Sequence, residues 1–155
     1  MILSAKGAAF IGRYEGYRGN LYNDPAGHCT IGFGHLVHYG PCDGHERPAY
    51  RAGLTRAQAV ELLREDAATR SAAVNQLVRV PLTQYEHDAL VSFVFNVGAG
   101  AFKSSTLLRR LNAGERTAVP AQLLRWTRAG SVTLPGLVTR RRAEGRLFAH
   151  GDYLP

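Results

Sequence analysis

The stretch LYNDPAGHCTIGFGHLV, residues 21–37, departs from the helical pattern of its surroundings and has the composition of strands and turns. Asp24, Pro25 and Gly27 occupy the first, second and fourth positions of a type I turn. A small hairpin or meander is therefore expected here, and the order of elements before and after it determines the fold class.

The segment TIGFGH, residues 30–35, predicts a strand directly after this turn. Because side chains alternate along a strand, Thr30, Gly32 and Gly34 would share one face. A face with one hydroxyl and two glycines lets a bulky ligand approach the backbone, so we expect it to form the floor of a binding groove. A purely structural role also fits, in which Asp24 only caps its turn and the glycines only let the strand curve.

Helix signals surround the strand region. Ser4 is a suitable N-cap for a helix that runs to about Tyr14. Thr55 and Gln58 form a capping box, and the apolar spacing behind it predicts one helix to about Val78, the longest element of the chain. Between these helices, the Gly- and Pro-rich segment 39–53 predicts a loop.

The second half of the chain is predicted to be helical throughout. Thr83 and Glu86 form another capping box, before an apolar helix that Gly98 ends. Three shorter helices are expected from about Ser105 to Asn112, from Pro120 and from Pro135.

The outline is one α+β, mostly α-helical domain of 155 residues. A small strand-containing lobe would cover about residues 12–60. A helical lobe would cover about residues 80–155 together with the N-terminal helix.

The net charge of +7 comes from 17 Arg and 2 Lys against 12 acidic residues. A basic surface concentrates an anionic polymer, and charge alone does not separate nucleic acid from an acidic cell wall. A high-GC genome also produces this arginine bias without any functional reason. We predict no nucleic-acid partner, because neither a helix-turn-helix nor a stacking platform is recognisable. Within the run Arg140–Arg142, at least two side chains are expected to be exposed.

The sequence contains no stretch of about 18 apolar residues and no basic-then-apolar signal layout. The expected protein is made in the cytoplasm and makes no stable membrane insertion.

The two cysteines, Cys29 and Cys42, are too few for a disulfide scaffold. Two free thiols are the default in a reducing cytoplasm, whereas a bridge would pin the 39–53 loop behind the strand that carries Thr30. Among the histidines, His35 and His38 would point to opposite faces of a strand, and no carboxylate pattern completes a site. We therefore predict no metal and no cofactor.

Glu15 and Asp24 are the candidate pair for acid–base chemistry. Cleavage of a glycosidic bond requires an acid and, in most families, a second carboxylate across a cleft. Glu15 follows the first helix, and Asp24 opens the turn nine residues later, so the chain can fold back and bring them face to face. The hydroxyl of Thr30 can hold a water together with Asp24.

These residues carry a family resemblance. Glu15, Asp24 and Thr30, separated by eight and then five residues, resemble the catalytic triad of phage-type lysozymes (endolysins), glycoside hydrolase family 24. Residues 89–114, ALVSFVFNVGAGAFKSSTLLRRLNAG, are similar to the core segment of that family, and residues 134–144, LPGLVTRRRAE, resemble its closing helix.

The resemblance implies a two-lobed lysozyme fold whose lobes are joined by a long helix. It implies hydrolysis, with inversion, of the β-1,4 bond between N-acetylmuramic acid and N-acetylglucosamine. In that reaction Glu15 would be the general acid, and Asp24 and Thr30 would position and activate water.

The resemblance also adds further site residues and a setting. Asn96 and Phe102 join Gly32 and Gly34 as substrate contacts. Arg141 is the expected partner of Glu15, with Arg140 and Arg142 as competitors. The expected enzyme is a monomer that acts on peptidoglycan after its release from the host cytoplasm.

Two other functions stay open. One is a catalytically silent relative that only binds the cell wall. The other is a lytic transglycosylase, which uses one acid and no water, and the presence of Asp24 and Thr30 favours hydrolysis over that route.

Overall fold

The computed structural model describes all 155 residues, Met1–Pro155, which divide into two compact units. The strand unit comprises Ala8–Asp66, and the helical unit comprises Met1–Gly7 together with Ala67–Pro155. Nine α-helices and two small antiparallel sheets confirm the predicted α+β, mostly α-helical class. No helix combines the length and the apolar character that crossing a membrane requires.

The strand unit is built around a three-stranded antiparallel sheet in the order β1-β2-β3. In this sheet Tyr22 pairs with Thr30, and Thr30 pairs with Leu36. The first helix begins in the helical unit and ends in the strand unit. The elements are α1 (Ala5–Glu15), β1 (Arg18–Asn23), β2 (Cys29–Gly32), β3 (His35–His38), α2 (Pro48–Arg51) and α3 (Arg56–Asp66).

The segment predicted as one long helix is two helices, α3 and α4 (Ala68–Leu77). The capping box at its start is present, with the Gln58 N–H donating to Thr55 Oγ1 over 3.2 Å and the Thr55 N–H donating to Gln58 Oε1 over 2.9 Å. The interruption falls at the buried Ala67, whose ψ of −7° departs from the helical value of about −42°. No glycine or proline lies at this position, so the sequence pattern did not indicate the break between the two helices.

The helical unit has the predicted capping box, and the helix expected from about Ser105 is capped by that residue. The capping box of Thr83 and Glu86 is complete, and Ser105 accepts the N–H of Leu108 with its hydroxyl. Helix α6 and the β4–β5 hairpin were not predicted. The elements are α4, α5 (Gln84–Val97), α6 (Ala99–Lys103), α7 (Thr106–Asn112), a 3₁₀ turn (Arg116–Ala118), α8 (Val119–Leu123), β4 (Arg128–Ala129), β5 (Val132–Thr133) and α9 (Pro135–His150), the longest helix.

Helix α5 packs against α9 and carries a buried polar network with it. The Ser92 hydroxyl donates to Glu144 over 2.6 Å, and Arg140 donates to the Ser92 carbonyl over 3.0 Å. Arg141 pairs with the other oxygen of Glu144. Both arginines are buried, so the expectation that at least two of Arg140–Arg142 are exposed is wrong. Burial is tolerated because Glu144 and backbone carbonyls satisfy both guanidinium groups.

A second polar cluster in the helical unit surrounds Asp88, which is fully buried. Its carboxylate accepts from the N–H and the hydroxyl of Ser4, from Gln84 over 2.9 Å and from the Tyr153 hydroxyl over 2.6 Å. Burial raises the pKa of Asp88, but the hydrogen bonds from His87, Ser4 and Tyr153 outweigh it, and the pKa lies below its ordinary value. The first residues of the chain are thereby fastened to α5.

Candidate active site

Glu15 is the last residue of α1. Gly16, whose φ of 72° lies in the left-handed region, ends the helix directly after it. On the two sides of Glu15, the rings of Phe10 and Tyr14 meet edge to face, and the Tyr17 hydroxyl donates to the Leu54 carbonyl over 2.6 Å. The Glu15 side chain is partly exposed at the end of α1. The packing of Phe10 on Tyr14 and the hydrogen bond of Tyr17 fix the residues on its two sides.

Asp24 opens the turn between β1 and β2. Its carbonyl accepts the Gly27 N–H over 2.8 Å and its N–H donates to the His28 carbonyl over 2.9 Å, while Gly27 has a φ of 83°. This is the predicted type I turn, closed by a residue in the left-handed conformation. Asp24 Oδ1 accepts the His28 N–H over 2.9 Å, which leaves Oδ2 of the partly exposed carboxylate for a ligand or a water.

Thr30 lies in β2 and is only 2% exposed. Its hydroxyl donates to the His28 carbonyl over 2.9 Å. Because the single hydroxyl hydrogen is used in this bond, Oγ1 can act toward a water only as an acceptor. Asp24 and Thr30 are thus held by the same residue, one through its N–H and the other through its carbonyl.

The loop after β3 is fastened to this turn at four points. Cys29 and Cys42 form a disulfide, and the Cys29 N–H donates to the Gly40 carbonyl over 2.8 Å. The Gly40 N–H donates to Nδ1 of the His28 ring over 3.0 Å, and the Cys42 N–H donates to Asn23 Oδ1 over 2.8 Å. The structure therefore gives the 39–53 segment a definite role as a support behind the turn that carries Asp24.

Gly32 and Gly34 do not form a strand face with Thr30, so the predicted alternation over residues 30–35 is wrong. Strand β2 ends at Gly32, and the two glycines, with φ values of 70° and 77°, reverse the chain into β3. A Cβ on Gly32 would lie 3.4 Å from Ala59 Cβ, so this position faces α3 rather than a groove. A Cβ on Gly34 would meet open space, and a contact of this glycine with substrate stays a prediction.

His38 and Glu46 form an ion pair in the same loop, with Nε2 and Oε2 2.6 Å apart. Glu46 also accepts the N–H groups of Asp43 and Gly44 over 3.0 and 3.1 Å. The bond from the Asp43 N–H, followed by that from His38, lowers the pKa of Glu46 to about 2. The Glu46 hydrogen bond in turn raises the pKa of His38.

Arg141 and Asn96 are joined to each other in the helical unit. The Arg141 guanidinium donates to Asn96 Oδ1, to Glu144 and to the Trp126 carbonyl, the last over 3.0 Å. Burial lowers the pKa of Arg141, and the neighbouring Glu144 opposes that effect. A pairing of Arg141 with Glu15 and a sugar contact of the exposed Asn96 stay predictions.

Phe102 is fully buried and lies edge-on to Phe93, with 6.2 Å between the ring centroids. A core side chain without exposed surface cannot contact a sugar, so the expectation that Phe102 binds substrate is wrong.

Trp126 has a mixed role, because its ring packs on Phe93 at 5.4 Å yet is partly exposed. It lines a cavity of ≈ 450 Å³ together with Asn96, Val97, Arg125, Arg128 and Leu137.

Sequence reasoning missed His28 as an organiser of the site. Its contribution is made by backbone groups and by a ring nitrogen that accepts from Gly40. Residue types do not reveal backbone hydrogen bonds. The only signal was its position between Asp24 and Thr30.

Comparison with known proteins agrees with this architecture. Residues 12–144 match the phage lysozyme family. The chain is 42% identical over 152 residues to an endolysin of Acyrthosiphon pisum secondary endosymbiont phage 1, with 96% of this chain and 98% of the relative covered. It is 40% identical over 151 residues to the endolysin of Salmonella phage P22, with the same coverage.

A solved structure adds support at the level of the fold. The endolysin of Escherichia coli O157:H7 phage FAHEc1 superimposes with a TM-score of 0.83 at 35% identity, covering 100% of this chain and 98% of that one. A family match over most of the chain, two relatives of nearly equal length and a shared fold lead to one conclusion. This chain belongs to the phage lysozyme family.

Proposed function

We propose that this chain is a muramidase, a glycoside hydrolase that cleaves the β-1,4 bond between N-acetylmuramic acid and N-acetylglucosamine in peptidoglycan and so lyses bacterial cells. Membership of the phage lysozyme family supports the activity and the substrate class. The observation that carries the residue assignment is the double link of Asp24 and Thr30 to His28. This link to His28 holds the Asp24 carboxylate and the Thr30 hydroxyl together, and both residues belong to the unit that also contains Glu15.

In the proposed reaction, Glu15 protonates the glycosidic oxygen as the bond to the anomeric carbon breaks. A water donates one hydrogen bond to Asp24 Oδ2 and one to Thr30 Oγ1, which leaves an oxygen lone pair for the anomeric carbon. The water loses its proton to Asp24 as it attacks. Because this water approaches the face opposite the leaving group, the configuration of the sugar inverts.

The surroundings of these residues have supporting roles in the proposal. The open side of Gly34 lets a sugar approach the backbone, and Asn96 offers its amide to the substrate. The net charge of +7 draws the enzyme to the anionic wall. We propose that the enzyme acts as a monomer, is made in the host cytoplasm and reaches the wall after release, with neither nucleic acid nor a membrane as a stable partner.

The test of the acid assignment is Glu15→Gln, with Glu61→Gln as the matched control. Glu61 is a mostly exposed glutamate of α3 in the same unit, so the control makes the same chemical change away from the proposed site. Lysis of purified peptidoglycan should fall by about 10²- to 10⁴-fold for Glu15→Gln and stay unchanged for Glu61→Gln, at equal thermal stability. Full activity of Glu15→Gln would refute the assignment.

The products distinguish the proposal from its alternatives. Hydrolysis leaves a reducing end, whereas a lytic transglycosylase leaves a 1,6-anhydro end that is lighter by one water, so mass spectrometry of the digest separates them. Protein that sediments with cell walls but releases no reducing sugar would instead indicate a silent binder.

A further inference from the structure

Tyr39 exposes an aromatic ring beside the turn that carries Asp24. It is 78% exposed, more than any other large hydrophobic side chain, and the other two above 70%, Ile2 and Leu154, lie at the ends of the chain. The Tyr39 ring meets the ring of the partly exposed His28 edge to face, with 5.1 Å between the centroids. Because the His28 N–H donates to Asp24 Oδ1 over 2.9 Å, this pair of rings adjoins the carboxylate proposed to activate water.

The backbone around Tyr39 is anchored on both sides. The Tyr39 carbonyl lies 2.9 Å from His38 Nδ1. The next residue, Gly40, donates its N–H to His28 Nδ1 over 3.0 Å, and its carbonyl accepts the Cys29 N–H over 2.8 Å. An exposed ring on an anchored backbone loses little conformational freedom when a ligand binds, so it provides contact area at a low entropic cost.

The His28 ring offers a hydrogen-bond donor at the same place. Because its Nδ1 accepts the Gly40 N–H, the hydrogen of the neutral ring lies on Nε2. No group of the chain accepts a hydrogen bond from Nε2, and the residue is partly exposed. His28 and Tyr39 thus present one free N–H beside one open ring face. Few polar groups placed among aromatic ones are typical of sites that bind small neutral ligands.

We propose that Tyr39 and His28 form a saccharide subsite that binds one N-acetylated pyranose unit of the glycan strand. A pyranose has C–H groups on its faces and oxygens around its rim. The Tyr39 ring stacks on a C–H face of the sugar, and His28 Nε2 donates its hydrogen to a hydroxyl or N-acetyl oxygen. The inference rests on the proposed muramidase function, to which it adds a sugar contact next to Asp24.

The first test measures binding without turnover. The full chain carrying Glu15→Gln is titrated with glycan oligosaccharides of peptidoglycan freed of their peptides, and the ring resonances of Tyr39 and His28 are followed by NMR. Both rings should shift on binding. Adding Tyr39→Ala should weaken binding by about 3- to 10-fold, whereas Tyr39→Phe keeps the ring face and should bind like its parent. The control is His45→Ala, because His45 belongs to the same loop and its side chain is 90% exposed.

The second test measures lysis and stability. Tyr39→Ala should raise KM for peptidoglycan by about 3- to 10-fold at both low and high salt, because stacking on a neutral sugar is not screened. Its thermal midpoint should equal that of the parent, since the ring is exposed. A lower midpoint with unchanged KM would show that the ring only shields the bond from Gly40 to His28.

That result would overturn the proposal, as would unshifted ring resonances or an equal loss of binding in His45→Ala. Because the NMR titration requires no catalysis, a parent chain that releases no reducing sugar would refute the proposed muramidase activity and leave the test of the subsite intact.

Discussion

Reduction of the Cys29–Cys42 disulfide should lower the stability of the chain by a predictable amount. The two cysteines are 13 residues apart, and closing a loop of this length removes about 3 kcal/mol of chain entropy from the unfolded state. For a chain of 155 residues the unfolding entropy near the midpoint is about 0.3 kcal/mol/K. Reduction should therefore lower the thermal midpoint by about 9 °C.

The assay is differential scanning calorimetry of the oxidised and the phosphine-reduced chain. A Cys29→Ala/Cys42→Ala double variant serves as the control, because its midpoint must not respond to the reductant. Below its midpoint the reduced chain should keep its activity, since the hydrogen bonds from Gly40 to His28 and from Cys42 to Asn23 do not depend on the disulfide. A shift of less than about 2 °C would refute the entropic argument.

Three further perturbations test separate parts of the structure. Gly7→Ala would place a Cβ 2.6 Å from Cγ of the buried Asp88, and calorimetry should show that the free energy of unfolding falls by about 1–3 kcal/mol. The control is Gly136→Ala, whose Cβ would have no atom within 4 Å and which should be neutral or stabilising by up to about 1 kcal/mol. Equal effects of the two variants would contradict the packing described. The pKa of Glu46 is lowered to about 2 from 4.5, so its stabilisation is lost as pH falls through that range, and the pKa of His38 is raised above 6.5, so its stabilisation is lost as pH rises through the raised value. The thermal midpoint of Glu46→Gln should therefore lie furthest below that of the parent between about pH 4.5 and 6.5, and a difference independent of pH would argue against the ion pair. Thr30→Val keeps the shape of the side chain but removes the hydrogen bond to the His28 carbonyl, and it should reduce the rate of lysis by about 10-fold or more. Thr30→Ser keeps the hydroxyl and should retain activity. Equal rates for the two variants would exclude a role for the hydroxyl.

Local rules predicted the helix starts and the first turn well. Ser4, Thr55, Thr83 and Ser105 all cap the helices expected of them, because a capping hydroxyl and its N–H partner lie within three residues of each other. The type I turn at Asp24 is equally local. At these positions the deciding interaction spans only a few residues, so the sequence alone was sufficient.

Predictions failed where a partner distant in the chain was decisive. Phe102 is placed in the core by Phe93. Burial of Arg140 and Arg141 depends on the carbonyls of Ser92 and Trp126, which lie 48 and 15 residues away in the chain and accept hydrogen bonds from them. Gly32 and Gly34 were assigned to one face of a strand, because a glycine in the sequence does not show whether the strand curves there or the chain reverses its direction.

The amino-acid sequence by itself determined the α+β class, the caps and the Asp24 turn, because each depends on short-range patterns. From motif spacing and a family resemblance it predicts the three residues proposed for catalysis. Tertiary structure alone decided that the His28 backbone links Asp24 to Thr30, that Cys29 meets Cys42, and that Glu46 pairs with His38. Those contacts depend on the path of a loop in the folded chain. That path is fixed only when the strands and helices pack, so the residue types alone do not predict it.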